Sequence, residues 1–222
     1  MLLAVDTSTR RIGLALYEED GVLHEAVWSS PNYHTMQLAP AVEEALAKAG
    51  FAITDLEAIA IATGPGSFTG LRIGMAFAKG LALARRIALV GIPSLDVLAA
   101  GQPLKQLPMA AVLRAGRGRL AVGWYQAGKK NWEATGQLDV FTAESLAEQL
   151  NEPTLVCGEL AVEERRTLRR NRRHVILASP AWSVRRPAFL AELAWVRWQA
   201  GRTDDPTSLS PIYLHYNDPI AS

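Results

Sequence analysis

The stretch Gly64-Pro65-Gly66-Ser67-Phe68-Thr69-Gly70-Leu71-Arg72-Ile73-Gly74 decides the fold of this chain. It joins an apolar segment, residues 58–63, to a segment with the composition of a buried helix, residues 69–85. A strand, a glycine turn and a helix N-terminus together favour anions, because the first N–H groups of a helix have no partner within it. The spacing matches neither a P-loop nor a dinucleotide fingerprint. The run therefore predicts a strand–loop–helix unit of an α/β fold and assigns no nucleotide to it.

The predicted helix over residues 69–85 is apolar on every side, which is typical of a helix that is covered on every side. Gly70, Gly74 and Ala78 recur at every fourth position and leave one face almost without side chains. Small residues at this spacing let another element approach closely. Two interpretations stay open: this face is covered within the chain, as in a doubly covered sheet, or it is covered by a partner.

Composition limits the kind of protein that this can be. The chain has 222 residues, enough for one large domain or two small lobes, and we predict two lobes. Its 23 Lys and Arg residues against 22 Asp and Glu residues leave a net charge of +1, so a basic surface has to be local. A single cysteine excludes an intrachain disulfide, and the four histidines form no metal-binding spacing. We expect no metal, no cofactor, no membrane span and a cytoplasmic location.

The order of segments predicts a duplicated architecture. The first lobe, residues 1–103, has the order βββαβαβα, and a proline-containing hinge at 102–108 leads to a second, eroded lobe, residues 104–222. A helix and a tail at 211–214 close the second lobe. The predicted strands are residues 2–5, 12–17, 22–27, 58–63, 88–91, 109–113, 120–125, about 138–141, 154–157 and 175–177. The predicted helices are residues 36–49, 69–85, 94–100, 143–150, 159–170 and 187–199.

Two groups of polar residues are candidate binding sites. The loop Asp6, Thr7, Ser8, Thr9 follows the first strand and is a candidate nucleotide-phosphate loop, although such residues also cap turns. The equivalent stretch of the second lobe, residues 112–118, lacks the second acid that phosphoryl transfer requires. The other group is a cluster of cations that predicts either RNA contact or a solvated helix end. Its members are Arg165, Arg166, Arg169, Arg170, Arg172 and Arg173.

Three motifs carry a resemblance to a known family. They are the opening Leu2-Leu3-Ala4-Val5-Asp6-Thr7-Ser8-Thr9, the glycine run described above, and Pro211-Ile212-Tyr213-Leu214 near the end. With them the chain resembles the TsaB, or YeaZ, family of bacterial tRNA threonylcarbamoyladenosine biosynthesis proteins, paralogues of TsaD. The resemblance covers the first lobe nearly throughout and the second only loosely. It implies a duplicated two-lobe, actin-like or Hsp70-like ATPase (ASKHA) fold, with mixed sheets flanked by helices.

The resemblance also implies a role without catalysis. Family members pair with TsaD through the two first-lobe helices and act with the ATPase TsaE to form threonylcarbamoyladenosine at position 37 of tRNAs that read ANN codons. The chain would then be a scaffold or activator subunit, reaching tRNA indirectly, and a homodimer when alone. One departure is Arg114-Ala115-Gly116, where many members have Asp-Ala-Arg. The implied interface residues are Leu38, Val42, Leu46, Phe68, Thr69, Gly70, Leu71, Ile73, Gly74, Met75, Phe77 and Ala78.

Two other functions stay open as alternatives. A stand-alone small-molecule kinase or ATPase of the same fold would need the second-lobe acid and a fuller nucleotide pocket. A metallopeptidase would need metal ligands. The residues favour neither, and the scaffold role is the prediction.

Overall fold

The computed structural model describes residues 1–30 and 34–214, and of His34 and Thr35 the backbone alone. It contains two mixed β-sheets, each with helices packed against it. The first lobe holds one sheet and three helices. Its elements are β1 (Leu2–Asp6), β2 (Arg11–Glu18), β3 (Gly21–Ser29), α1 (His34–Ala49), β4 (Ala58–Ala62), α2 (Phe68–Arg85), β5 (Ala88–Ile92) and α3 (Ser94–Ala100).

The first sheet has the strand order β3-β2-β1-β4-β5. Strands β1, β2 and β3 form an antiparallel meander, while β4 pairs with β1 and β5 in parallel. Every residue of β1 and β4 is buried, and apart from Asp6 at the end of β1 both strands are continuous apolar runs. Such runs are expected of central strands that are covered on both faces.

The second lobe repeats this order with shorter elements. Its sheet has the order β11-β10-β6-β7-β8, and β9 pairs with β7 as well. The antiparallel pair β6 and β7 corresponds to β1 and β2, and the parallel strands β10 and β11 correspond to β4 and β5. The predicted duplication is therefore confirmed. Its elements are β6 (Met109–Arg114), β7 (Leu120–Ala127), β8 (Trp132–Ala134), β9 (Asp139–Phe141), α4 (Ala143–Gln149), β10 (Thr154–Gly158), α5 (Val162–Leu168) and β11 (Val175–Leu177).

Two predicted elements of the second lobe differ in the structure. The single third strand expected near residues 138–141 is split into β8 and β9, which pair with opposite ends of β7. The helix expected over 159–170 is only α5, because the chain still follows β6 at Glu159, whose N–H donates to the carbonyl of Val112. Gly158, with φ of 130°, lets the chain turn there.

The last helix, α6 (Pro187–Gln199), follows the second lobe in the chain but packs on the first sheet. Its fully buried residues Leu190, Ala191 and Ala194 share a core with strands β1, β4 and β5. Helices α1 and α2 cover the opposite face of the same sheet. The sequence grouped this helix with the second lobe because chain order was the only guide. The predicted boundary at residues 103 and 104 stays a prediction, and residues 215–222 of the predicted second lobe lie outside the described residues.

Helix α3 connects the two lobes. Its residues Leu95 and Leu98 pack into the core that contains Met109 and Leu113 of β6. Within the described residues, no helix has the length and hydropathy needed to cross a membrane.

Candidate functional site

The loop after β1 is engaged throughout by other parts of the chain. Asp6 is 2% exposed, and its Oδ1 accepts a hydrogen bond of 2.8 Å from the N–H of Ser8. The Thr7 hydroxyl donates to the carbonyl of Gly70 at 2.8 Å, and the Ser8 and Ser94 hydroxyls bond each other at 2.7 Å. The polar groups of the candidate phosphate loop are thus used in hydrogen bonds within the chain. This agrees with the alternative that these residues stabilise a turn.

Arg185 fixes the same loop from the other side of the cleft between the lobes. Its Nε donates to Asp6 Oδ2 at 2.7 Å, and one terminal nitrogen donates to Glu159 Oε1 at 2.7 Å. The other terminal nitrogen donates to Thr9 Oγ1 at 2.9 Å. Burial by itself would lower the pKa of Arg185, but the carboxylates of Asp6 and Glu159 outweigh it and raise that pKa above its ordinary value. We name Arg185, Asp6, Glu159 and Thr9 the cleft cluster.

Sequence reasoning found Asp6 and Thr9 but missed Arg185 and Glu159. Arg185 is 179 positions from Asp6, in a segment without a motif. Only a covarying partner in related sequences could signal such a contact.

The bare face of α2 is covered within the chain. A Cβ atom at Gly70 would lie 2.2 Å from the carbonyl oxygen of Thr7, and one at Gly74 would lie 2.1 Å from the Thr7 hydroxyl. Ala78 is fully buried in the core between α2 and the first sheet. Of the two interpretations of this face, the first is correct: it packs against the loop after β1 and against β4.

The predicted interface residues fall into two sets. The buried set lies in this chain's own core, and of its members only Leu38 also lines the groove described next. They are buried because the apolar stripes of α1 and α2 pack on the first sheet, and their part in an interface stays a prediction. The buried residues are Leu38, Val42, Leu46, Gly70, Leu71, Gly74, Met75 and Ala78. The exposed or half-buried residues are Phe68, Thr69, Ile73 and Phe77.

The second set lines a groove between α1 and α2, which we name the α1–α2 groove. Its volume is about 480 Å³. Phe68, 57% exposed, stands at one end, with the Arg72 guanidinium 5.1 Å from its ring centre on one side and the Tyr213 ring 5.1 Å away. The lining is otherwise mainly aliphatic and aromatic. It consists of Leu38, Ala39, Phe68, Thr69, Arg72, Ile73, Ala76 and Phe77.

The six predicted RNA-contacting arginines do not form one surface on a single helix. Arg165 is half-buried, its guanidinium donates to the carbonyl of Ala178 at 2.7 Å, and burial lowers its pKa with a smaller contribution from Arg169. The other five are exposed, and Arg172 and Arg173 lie beyond the end of α5. Their contact with RNA stays a prediction.

Arg114, which replaces the expected second-lobe acid, is exposed at the end of β6. Its Nε lies 3.4 Å from Glu164 Oε1. Among residues 1–30 and 34–214, no three or more His, Cys, Asp or Glu side chains are grouped in a way that could hold a metal ion.

Two lobes with the same strand order, facing each other across a cleft, define a protein of the actin-like, Hsp70-like ATPase fold class. The profile of the family described as TsaD, tRNA N6-adenosine threonylcarbamoyltransferase, matches residues 22–178. Since this is more than half of the chain, the chain belongs to that family.

The curated relatives that match this chain are TsaB proteins. The chain is 39% identical over 100 residues to the tRNA threonylcarbamoyladenosine biosynthesis protein TsaB of Escherichia coli, covering 45% of this chain and 43% of that protein. It is 38% identical over 125 residues to TsaB of Bacillus subtilis, covering 56% and 55% of the two chains. The matched region thus spans about half the length of these curated relatives.

A solved structure matches nearly the whole chain. YeaZ from Pseudomonas aeruginosa is 27% identical, with a TM-score of 0.80, and the match covers 96% of this chain and 99% of that one. The predicted resemblance to TsaB, or YeaZ, and the predicted fold class are therefore confirmed.

Proposed function

We propose that this chain is a non-catalytic subunit of the complex that forms N6-threonylcarbamoyladenosine at position 37 of tRNAs that read ANN codons. It acts by pairing with TsaD, and the ATPase TsaE joins the assembly. Alone, the chain pairs with a second copy of itself. The single observation that supports this proposal best is the α1–α2 groove, an apolar surface on the first lobe.

The chemistry of the groove suits a protein partner. Thr69, Ile73, Ala76 and Phe77 are spaced along α2 so that their side chains share one face, and they remain at least partly exposed. Aromatic anchors beside an arginine are typical of the residues that contribute most to protein interfaces. A groove of this kind is better suited to receive apolar side chains of another protein than to perform chemistry.

The cleft cluster supports the non-catalytic part of the proposal. In a kinase or ATPase of this fold, an acid at the position of Asp6 would be free for a metal ion or a nucleophile. Here that carboxylate is buried and bonded to Arg185. Freeing Asp6 would remove one of the two carboxylates that neutralise a buried guanidinium, which is unfavourable.

The proposal is tested by placing a charge in the groove. Ala76 is exposed and lies in the middle of α2, where glutamate is a good helix former, so Ala76→Glu leaves the fold intact. We expect Ala76→Glu to weaken capture of TsaD at least tenfold, because a carboxylate would be buried in an apolar contact. The measurement is co-purification followed by titration with labelled TsaD.

Val196→Glu is the matched control. Val196 is 59% exposed on α6, on the opposite face of the first sheet. The control exchanges an apolar for an acidic residue at an exposed helical position and should bind TsaD like the parent chain. Equal binding by both variants and the parent would contradict docking at the groove, and turnover of a substrate by the purified chain alone would contradict the non-catalytic role.

A further inference from the structure

A second groove, between the two lobes, is lined by arginines from the β1–β2 turn and from three separate elements, β2, β6 and α5. Arg10 and Arg11 come from the β1–β2 turn and the start of β2, Arg114 from the end of β6, and Arg165 from α5. The groove has a volume of about 240 Å³. We name these four residues the arginine groove. They bring guanidinium groups together in a protein whose net charge is only +1.

The carboxylates in and beside this groove are already paired with other groups. Glu159 accepts from Arg185, and Glu164 accepts from the N–H of Ala161 and lies 3.4 Å from Arg114. Within the described part of the chain, the exposed side chains of Arg10 and Arg11 form no ion pair. The groove therefore presents more positive charge than its own acids balance.

Arg165 is held in place before any ligand arrives. Its bond to the carbonyl of Ala178 uses one terminal nitrogen and fixes the plane of the guanidinium. Guanidinium groups bind phosphate oxygens through two parallel hydrogen bonds, and a fixed one loses less entropy on binding. Phosphate groups are thus the anions that fit this set of donors.

An adjoining cavity distinguishes a nucleic acid from an acidic peptide. This cavity, of about 630 Å³, shares Arg10 and Arg114 with the arginine groove and also contains Phe68 and Tyr213. Both rings are exposed, at 57% and 38%. Stacking of bases on aromatic rings beside a basic groove is the usual means of binding single-stranded nucleic acid, and an acidic peptide has no bases to stack.

We propose that the arginine groove binds the phosphodiester backbone of an RNA strand, with unpaired bases reaching the exposed ring of Tyr213, while Phe68 is left to the contact with TsaD. This rests on the proposed function, which supplies tRNA as the RNA. It goes beyond that function, because this chain then contacts the RNA itself and does not only hold TsaD.

The test compares two double variants of equal charge change. Arg10→Glu with Arg11→Glu alters the groove, while Lys130→Glu with Arg202→Glu alters two exposed cations elsewhere. The probe is a labelled, unmodified 17-nucleotide anticodon stem-loop, titrated against the full chain alone and against its complex with TsaD. We expect the groove variant to lose at least tenfold in affinity and the control less than twofold. The slope of log K against log salt should fall by about 1.4 to 1.8, which corresponds to two lost phosphate contacts.

Each other outcome has a defined meaning. Unchanged affinity and slope for the groove variant overturn the proposal, and so does competition by poly-glutamate that matches poly-uridine at equal charge. If Arg10→Gln with Arg11→Gln, which removes charge without reversing it, also binds like the parent, the groove is not the site. Failure of the parent chain to bind TsaD would contradict the proposed function, while the titrations of the chain alone would still decide whether the groove binds RNA.

Discussion

At the scale of single residues, Arg185 determines the state of the cleft. Its side chain is 2% exposed and donates to two carboxylates and a hydroxyl from two parts of the chain, the loop after β1 and Glu159. A buried ion pair of this kind adds little stability compared with apolar packing, but removal of one partner leaves the others charged and unpaired. The cluster therefore matters more for the relative position of the two lobes than for the total free energy of unfolding.

Arg185→Met should lower the free energy of unfolding by about 3–5 kcal/mol, because Asp6 and Glu159 would remain buried without a counter-charge. Urea denaturation followed by circular dichroism measures the loss. Arg186→Met is the matched control, since Arg186 is the next residue and its ion pair with Glu25 is 55% exposed on the arginine side. That pair should contribute less than about 1 kcal/mol. Losses of equal size at the two positions would contradict the role given to Arg185.

The sequence predicted one half of this cluster and could not predict the other. Asp6 stands out because a polar run directly after a buried strand is unusual. Arg185 does not stand out, because an arginine before a proline and a helix is typical of a solvated helix start. Which residue neutralises a buried acid depends on how two lobes meet, and local patterns contain no information about that.

At the scale of elements, α2 has two different surfaces. Gly70 and Gly74 bring the helix axis close to the loop after β1, so the glycines are required by contact within the chain. The opposite side of the helix, at Ala76 and the neighbouring positions, lines the α1–α2 groove. The glycine spacing correctly predicted a close approach, but it could not identify the approaching element, since a loop and a partner helix require the same small residues.

Gly74→Ala and Gly80→Ala should change stability in opposite directions. Both add one methyl group to α2, and alanine in a helix interior is favoured over glycine by about 1 kcal/mol. At Gly80 the new Cβ meets no atom within 4 Å, so this variant should gain up to that amount. At Gly74 it would lie 2.1 Å from the Thr7 hydroxyl, and overpacking should cost about 1–3 kcal/mol.

Thermal unfolding of the two glycine variants beside the parent chain gives the comparison. If the Gly74→Ala protein were as stable as the Gly80→Ala protein, the loop after β1 would have to move aside at little cost. The bare face of α2 would then not be tightly packed. For the same reason, a large substitution at Gly74 would test folding and not partner binding.

At the scale of the whole molecule, the lobes share elements that the order of the chain conceals. Helix α6 covers the first sheet although it follows the second, and α3 packs into the second lobe's core although it precedes it. Hydrophobic periodicity predicted that both helices exist, and duplication of the strand order was readable from the spacing of the segments. The sequence could not predict which sheet α6 covers, because the apolar residues of α6 would suit either sheet.

Residues 1–103 should not fold alone, because one face of the first sheet would lose Leu190, Ala191 and Ala194. Joining residues 1–103 to residues 181–214 by a short Gly-Ser linker should restore a cooperative transition. The two ends are close, since the Gln102 side chain donates to the carbonyl of Trp182. Circular dichroism during heating compares the two fragments.

The control for the joined fragment is the same chain with Leu190→Asp, which buries a charge under the sheet and should abolish the transition. Cooperative unfolding of residues 1–103 without α6 would show that α6 is not required to cover the sheet.

The cleft cluster also limits how far the two lobes can move apart. Two-lobed enzymes open around a hinge to admit and release small molecules. Here an opening of that kind would separate Arg185 from Asp6 or from Glu159, and it would also pull α3 out of the core of the second lobe. We therefore expect the two lobes to keep the same relative position in the free and the partner-bound protein. A partner would then bind a surface whose shape does not change on binding.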